Sequence, residues 1–175
     1  MDAKRILPVC AITAALALPL WNPSATRAQD ALARGKYLVA FGGCTDCHTP
    51  GYFFGKPDPA RYLGGSEVGF EIPGHGVFHG PNLTPDKETG LGSWSNEEIV
   101  VALQTGVRPD RRMLAPIMPW KAFAQLTKDD ALAIAAYLKT VPPVKNKVPG
   151  PFGPKETPTS FVMKIVPPPG VPQKK

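Results

Sequence analysis

Residues 44–48 read Cys44-Thr45-Asp46-Cys47-His48, a C-x-x-C-H run. Two thiols at that spacing reach neighbouring vinyl substituents of one haem, and the adjacent imidazole then lies beneath the iron. The run is the attachment signature of a c-type haem. Two other chemistries use its C-x-x-C half. A tetrahedral zinc site needs further Cys or His ligands at matching spacing, and the third cysteine, Cys10, stands alone near the N-terminus. A redox dithiol wants a βαβ context, which the flanking residues do not offer. The expectation is one covalently bound haem c, with Cys44 and Cys47 as thioether sites and His48 as the first axial iron ligand.

Haem of this type is attached outside the bacterial cytoplasm, and the N-terminus carries a matching address. Lys4 and Arg5 precede an apolar stretch from Ile6 to Leu20, and Thr26-Arg27-Ala28 forms a small-residue exit. That is the pattern of a secretory signal peptide over residues 1–28, predicting a mature start at Gln29 and a periplasmic location. The stretch is broken by Pro8 and Pro19 and falls short of the ~20 apolar residues of a spanning helix; an uncleaved anchor is the alternative. Cys10 does not fit a lipoprotein site, because Val9 is too large and the apolar region follows the cysteine.

Residues 29–143 then suffice for one domain, followed by a basic, proline-rich tail over 144–175. With 22 prolines and 17 glycines in the chain, a loop-rich domain completed by its cofactor is expected. Charge is uneven. Residues 29–138 carry 10 basic and 12 acidic side chains, whereas 139–175 carry seven lysines and a single acid, Glu156. An exported chain meets no nucleic acid, so the tail points to a partner protein or to peripheral association with an anionic membrane, unless it is merely solvated.

Three helices are predicted. The first spans about Asp30 to Phe41, with Leu32, Gly35, Leu38 and Val39 as its apolar stripe and Gly42-Gly43 as its stop. Gly35 costs ~1 kcal/mol relative to alanine, which makes sense where another helix crosses closely. The second starts at Ser95, where Glu98 completes a capping box, and ends at Gly106. The third starts at Thr127 with Asp129 and Asp130 in its first turn; Ala131, Ile134, Ala135 and Leu138 face inward, and Pro142-Pro143 closes it. No strand pairing is predicted between Thr49 and Trp94, so the expected fold is all-α, three main helices with long loops around the haem.

The second axial ligand must come from downstream. Met118, in the proline-rich run Ile117-Met118-Pro119-Trp120, is the leading candidate, and Met113 is its competitor; His75 and His79 stand behind both. A thioether ligand raises the reduction potential relative to bis-histidine ligation. Trp94 and Trp120 flank these loops and could pack on the macrocycle or donate an indole N–H to a propionate, although core packing explains them as well. Arg108, Arg111 and Arg112 form a solvated cluster on this reading.

As a set, these residues resemble class I c-type cytochromes, and more narrowly the cytochrome subunits of bacterial periplasmic alcohol, aldehyde, gluconate and related dehydrogenases. The resemblance covers about residues 30–143. It runs through Arg34-Gly35-Lys36-Tyr37-Leu38, Cys44 to Thr49, Asn82-Leu83-Thr84-Pro85-Asp86, Thr89-Gly90-Leu91-Gly92 and Trp94-Ser95. It continues through Gly106-Val107-Arg108-Pro109-Asp110, Met118-Pro119-Trp120 and Ala136-Tyr137-Leu138-Lys139. It implies axial ligation by His48 and Met118, and a crossing that sets Gly35 against Tyr137 or Leu138. It also implies a dehydrogenase catalytic subunit as electron donor and an oxidase or another cytochrome as acceptor. The larger relatives often carry three such domains, whereas this chain has one C-x-x-C-H. An electron carrier rather than an enzyme is therefore expected. The alternative is a haem enzyme or gas sensor with a displaceable sixth ligand.

Overall fold

The computed structural model describes residues 23–170. Residues 1–22, which hold most of the predicted signal peptide together with Cys10, and residues 171–175 lie outside the described residues. Helix α1 (Pro23–Phe41) is followed directly by the short α2 (Cys44–His48). Then come strands β1 (Val68–Ile72) and β2 (Gly76–His79), helices α3 (Asn96–Thr105), α4 (Trp120–Phe123) and α5 (Lys128–Leu138), and strand β3 (Phe161–Met163).

All three predicted helices form, the second and third where their end signals place them, whereas α1 ends at Phe41 as expected but begins at Pro23, ahead of the expected start near Asp30. The Ser95 hydroxyl accepts from the Glu98 amide and the Glu98 carboxylate accepts from the Ser95 amide, while Gly106 closes α3 in the left-handed region at φ 74°. Both bonds satisfy amides that a helix start leaves without partners. The Thr127 hydroxyl accepts from the Asp130 amide at the start of α5. That helix ends at Leu138, ahead of the two prolines.

Helices α1 and α5 cross at Gly35. A Cβ there would fall inside contact distance of the Ala133 carbonyl oxygen, 2.6 Å from its carbon and 2.8 Å from the Tyr137 Cβ. The expected Tyr137 contact is present, with the α5 backbone as a second neighbour. Leu38 and Val39 of α1 then meet Ile134, Ala135 and Leu138 of α5 and Ile99 of α3 in one core, closed by Leu63, Leu91 and Val141. Arg34 reinforces the crossing with a two-pronged pair to Asp130, at 2.8 and 3.1 Å. Gly35→Ala should force the two backbones apart and cost about 2 kcal/mol, read as a lower urea midpoint at unchanged slope. A midpoint equal to wild type would show that the helices separate freely.

The all-α expectation is corrected by a three-stranded sheet in the order β2-β1-β3. Strands β1 and β2 form an antiparallel hairpin, Phe70 opposite Phe78, with Gly74 at φ 77° in the turn. Glycines at 69, 74 and 76 obscure its alternation in the sequence, although Val68, Phe70 and Ile72 do follow a period of two. Strand β3 pairs parallel to β1, with Val68 opposite Phe161, across a separation no local pattern reveals. The tail thus returns over the domain: Phe152 bridges to Val77, and Asn146 donates to the Gly64 carbonyl at 2.8 Å. Helix α4, also unanticipated, begins directly after Pro119.

Candidate haem-attachment site

Gly43, at φ 64°, turns the chain out of α1 so that α2 starts at Cys44. Cys44 packs against the helical core. Burial pushes its thiol up to about 11, and the Cys47 thiol moves up for the same reason. Both sulfurs are therefore held as neutral thiols near pH 7.

His48 is buried, and its Nδ1 lies 2.7 Å from the Pro81 carbonyl oxygen. A carbonyl only accepts, so Nδ1 carries the proton and donates, leaving the lone pair on Nε2. Burial lowers the imidazole pKa from its ordinary value, the Pro81 bond opposing, so the ring stays neutral. A neutral ring tied to a backbone carbonyl through one nitrogen is how a metal-ligating histidine is oriented. The donor set therefore fits a haem iron on Nε2. Around it, Gly65 donates to the His48 carbonyl at 2.8 Å, and Leu63 donates to the Thr49 hydroxyl at 3.1 Å. Gly80 sits flush on this turn. A Cβ there would collide with the Cys47 carbonyl oxygen and approach His48 Nδ1 to 3.4 Å.

Met113, Met118, Trp120 and His75 line one cleft of about 460 Å³, with Phe78 and Pro119 in its wall. Cys44, Cys47 and His48 are not among its lining residues. The two methionines differ in setting. Met113 is 53% exposed and its backbone bridges to Val107, whereas Met118 is half-buried, its amide donating to the Ala115 carbonyl at 2.9 Å. Trp120 rests its indole on Gly106, where a Cβ would lie 2.8 Å from the ring. Trp94 is packed on the core, with the Arg108 guanidinium 5.1 Å from its ring centre. Arg108 also pairs with Asp110 at 3.3 Å and is less exposed than a solvated cluster implies, while Arg111 and Arg112 are exposed. His79 lies elsewhere, Nε2 2.8 Å from the Ser160 hydroxyl on the tail.

Sequence reasoning named Asn82, Thr84 and Lys139 only within the resemblance and missed that they hold these pieces in place. Asn82 and Thr84, both buried, form a polar knot: Asn82 Oδ1 accepts from the Thr84 amide and hydroxyl at 2.9 and 2.7 Å. Its Nδ2 donates to the Thr89 hydroxyl at 3.0 Å and to the Val144 carbonyl at 2.6 Å. Lys139 donates to the carbonyls of Leu91 and Trp94, at 2.7 Å for the former, and so fixes the turn that carries Trp94. The Asn-Leu-Thr-Pro-Asp run signals a turn, but nothing in it shows which backbone groups it serves.

A C-x-x-C-H turn whose buried imidazole is held through Nδ1 with Nε2 free fits the architecture of a c-type haem protein. A cytochrome c family model matches residues 32–142, and the chain belongs to the cytochrome c family. It is 36% identical over 145 residues to the cytochrome c subunit of the quinone alcohol dehydrogenase of Gluconobacter oxydans (strain 621H), covering 79% of this chain and 28% of that one. It is 31% identical over 142 residues to the fructose dehydrogenase cytochrome subunit of Gluconobacter japonicus, covering 78% and 28%. With the gluconate 2-dehydrogenase cytochrome c subunit of Pantoea cypripedii it shares 35% over 112 residues, covering 63% and 23%. The resemblance to cytochrome subunits of bacterial dehydrogenases thus holds, and the chain spans about a quarter of the length of these relatives.

Proposed function

We propose that this chain is an exported, one-haem electron carrier that accepts single electrons from a dehydrogenase subunit and passes them to an oxidase or another cytochrome. The observation that carries it is the Nδ1–Pro81 bond, which presents Nε2 of His48 as a neutral ligand directly after the paired thiols. Haem held there supplies one-electron exchange between ferrous and ferric iron. The protein's part is to hold it. Cys44 and Cys47 would hold the haem as thioethers, each S–H adding across one vinyl group so that its proton would end on a former vinyl carbon. His48 Nε2 and the Met118 sulfur would be the two protein donors to its iron, and the half-buried setting of Met118 supports it over the exposed Met113. Two such donors would leave the iron no open position for a substrate, and the chemistry supplied would be outer-sphere electron exchange. The names of the relatives support a dehydrogenase as donor.

Met118→Ala should abolish the sulfur-to-iron charge-transfer band of the ferric protein. It should also lower the reduction potential, since axial ligation commands a range of ~0.8 V. Met113→Ala should retain both. Loss of the band in Met113→Ala alone would transfer the ligand role to Met113. Carbon monoxide should bind the reduced wild type slowly at neutral pH; rapid binding would assign it instead an open sixth position.

A further inference from the structure

Among the described residues, the sheet that the tail completes leaves an apolar surface uncovered. Phe161 is 64% exposed and stands edge-on to Phe54, their ring centres 5.0 Å apart. Met163, two residues on and therefore on the same face of β3, is also exposed, and Ile165 and Val166 follow at 93% and 74%. Exposed apolar clusters of this kind mark contact surfaces. We infer that Phe54, Phe161, Met163, Ile165 and Val166 form a docking surface for an anionic lipid bilayer, which would hold the cytochrome peripherally at the membrane. The inference rests on the exported location proposed above but not on the haem ligands.

Charge favours a lipid surface. Residues 29–138 are net negative, whereas 139–175 carry seven lysines against one acid, so an anionic plane attracts the tail and repels the rest. Lys56, two residues beyond Phe54, and Lys155, six before Phe161, are both exposed. Lys164 lies between Met163 and Ile165 and is held to Glu71 at 2.6 Å. Lysine stems lie along apolar surface while their ammonium groups remain in the headgroup layer.

The backbone favours it too. Pro167, Pro168 and Pro169 follow Val166 and have no N–H to desolvate, so the most exposed segment meets the interface with few unsatisfied donors. The free edge of β3 stays at headgroup level, where water and phosphate can satisfy it. No helix among the described residues is long and apolar enough to cross a membrane, so the attachment is interfacial and salt-sensitive.

The test uses the full mature holoprotein and co-sedimentation with vesicles of phosphatidylglycerol mixed with phosphatidylcholine, set beside phosphatidylcholine alone. Binding to the anionic vesicles, released by high salt, is expected. Phe161→Ser with Ile165→Ser should weaken it by about tenfold or more, and Lys56→Gln or Lys155→Gln by about fivefold each. All variants should keep the wild-type haem spectrum, which separates this inference from the haem assignment. Equal binding to both vesicle types, or wild-type binding by the Phe161/Ile165 variant, would overturn it. Absence of binding by a spectrally intact wild type would give the surface to a protein partner instead.

Discussion

Gly80→Ala is expected to unseat the haem-attachment turn and to produce the largest functional loss of any single methyl added to this protein. The added Cβ would overlap the Cys47 carbonyl oxygen and lie 2.7 Å from the carbonyl carbon. Both obstacles are backbone, so no side-chain rotation relieves them. The end of β2 must withdraw from α2, and Pro81 moves with it. Its carbonyl then leaves His48 Nδ1, now 2.7 Å away, and the imidazole loses the bond that fixes its tautomer and aim. The cost is about 3 kcal/mol, with an altered ferric spectrum and reduced yield of holoprotein. Thermal unfolding and the visible spectrum read the two effects separately. Gly80→Ala with both at wild-type values would mean that Gly80 is not needed for close approach.

Asn82→Ala should be nearly as damaging to the fold while sparing the haem-binding residues themselves. Removing the side chain leaves the buried Thr84 amide without the partner it has at 2.9 Å, and the half-buried Val144 carbonyl with only the Thr84 hydroxyl at 3.4 Å. An orphaned buried amide costs about 1–3 kcal/mol, and the loss within one network is cooperative, giving about 3 kcal/mol in total. For a domain of this size that lowers Tm by roughly 10 °C. The loss has a direction, because Val144 starts the segment that returns to β1. Limited proteolysis should cut residues 145–160 well before the helices. Simultaneous cleavage of tail and helices would show that the knot does not pin the tail separately.

The helices were legible because their signals are local. Ser95 with Glu98, Thr127 with Asp130, and Gly106 each act within a turn of the residue they serve, and the structure places all three helix ends there. Gly35 was legible by exclusion, since a glycine inside a helix asks for a close neighbour. The sheet was not legible. Its hairpin alternates across glycines that contribute no side chain, and β3 pairs with β1 across about half the length of the chain. The same limit applied at the site. Cys44, Cys47 and His48 stand in five consecutive residues, whereas the groups that orient them, Pro81 and Gly80, come 33 residues later.

By itself, then, the sequence pointed to Cys44 and Cys47 as the haem-attachment pair and placed α1, α3 and α5, since thioether spacing and helix end signals are set by neighbours along the chain. Only the tertiary structure decided which nitrogen of His48 is free and that Met113 and Met118 share one cleft. It alone decided that the lysine-rich tail lies back on the domain with its apolar face outward. Each of these depends on a carbonyl, a methyl group or a strand edge brought from a distant segment, and long-range packing leaves no periodicity in the sequence to read.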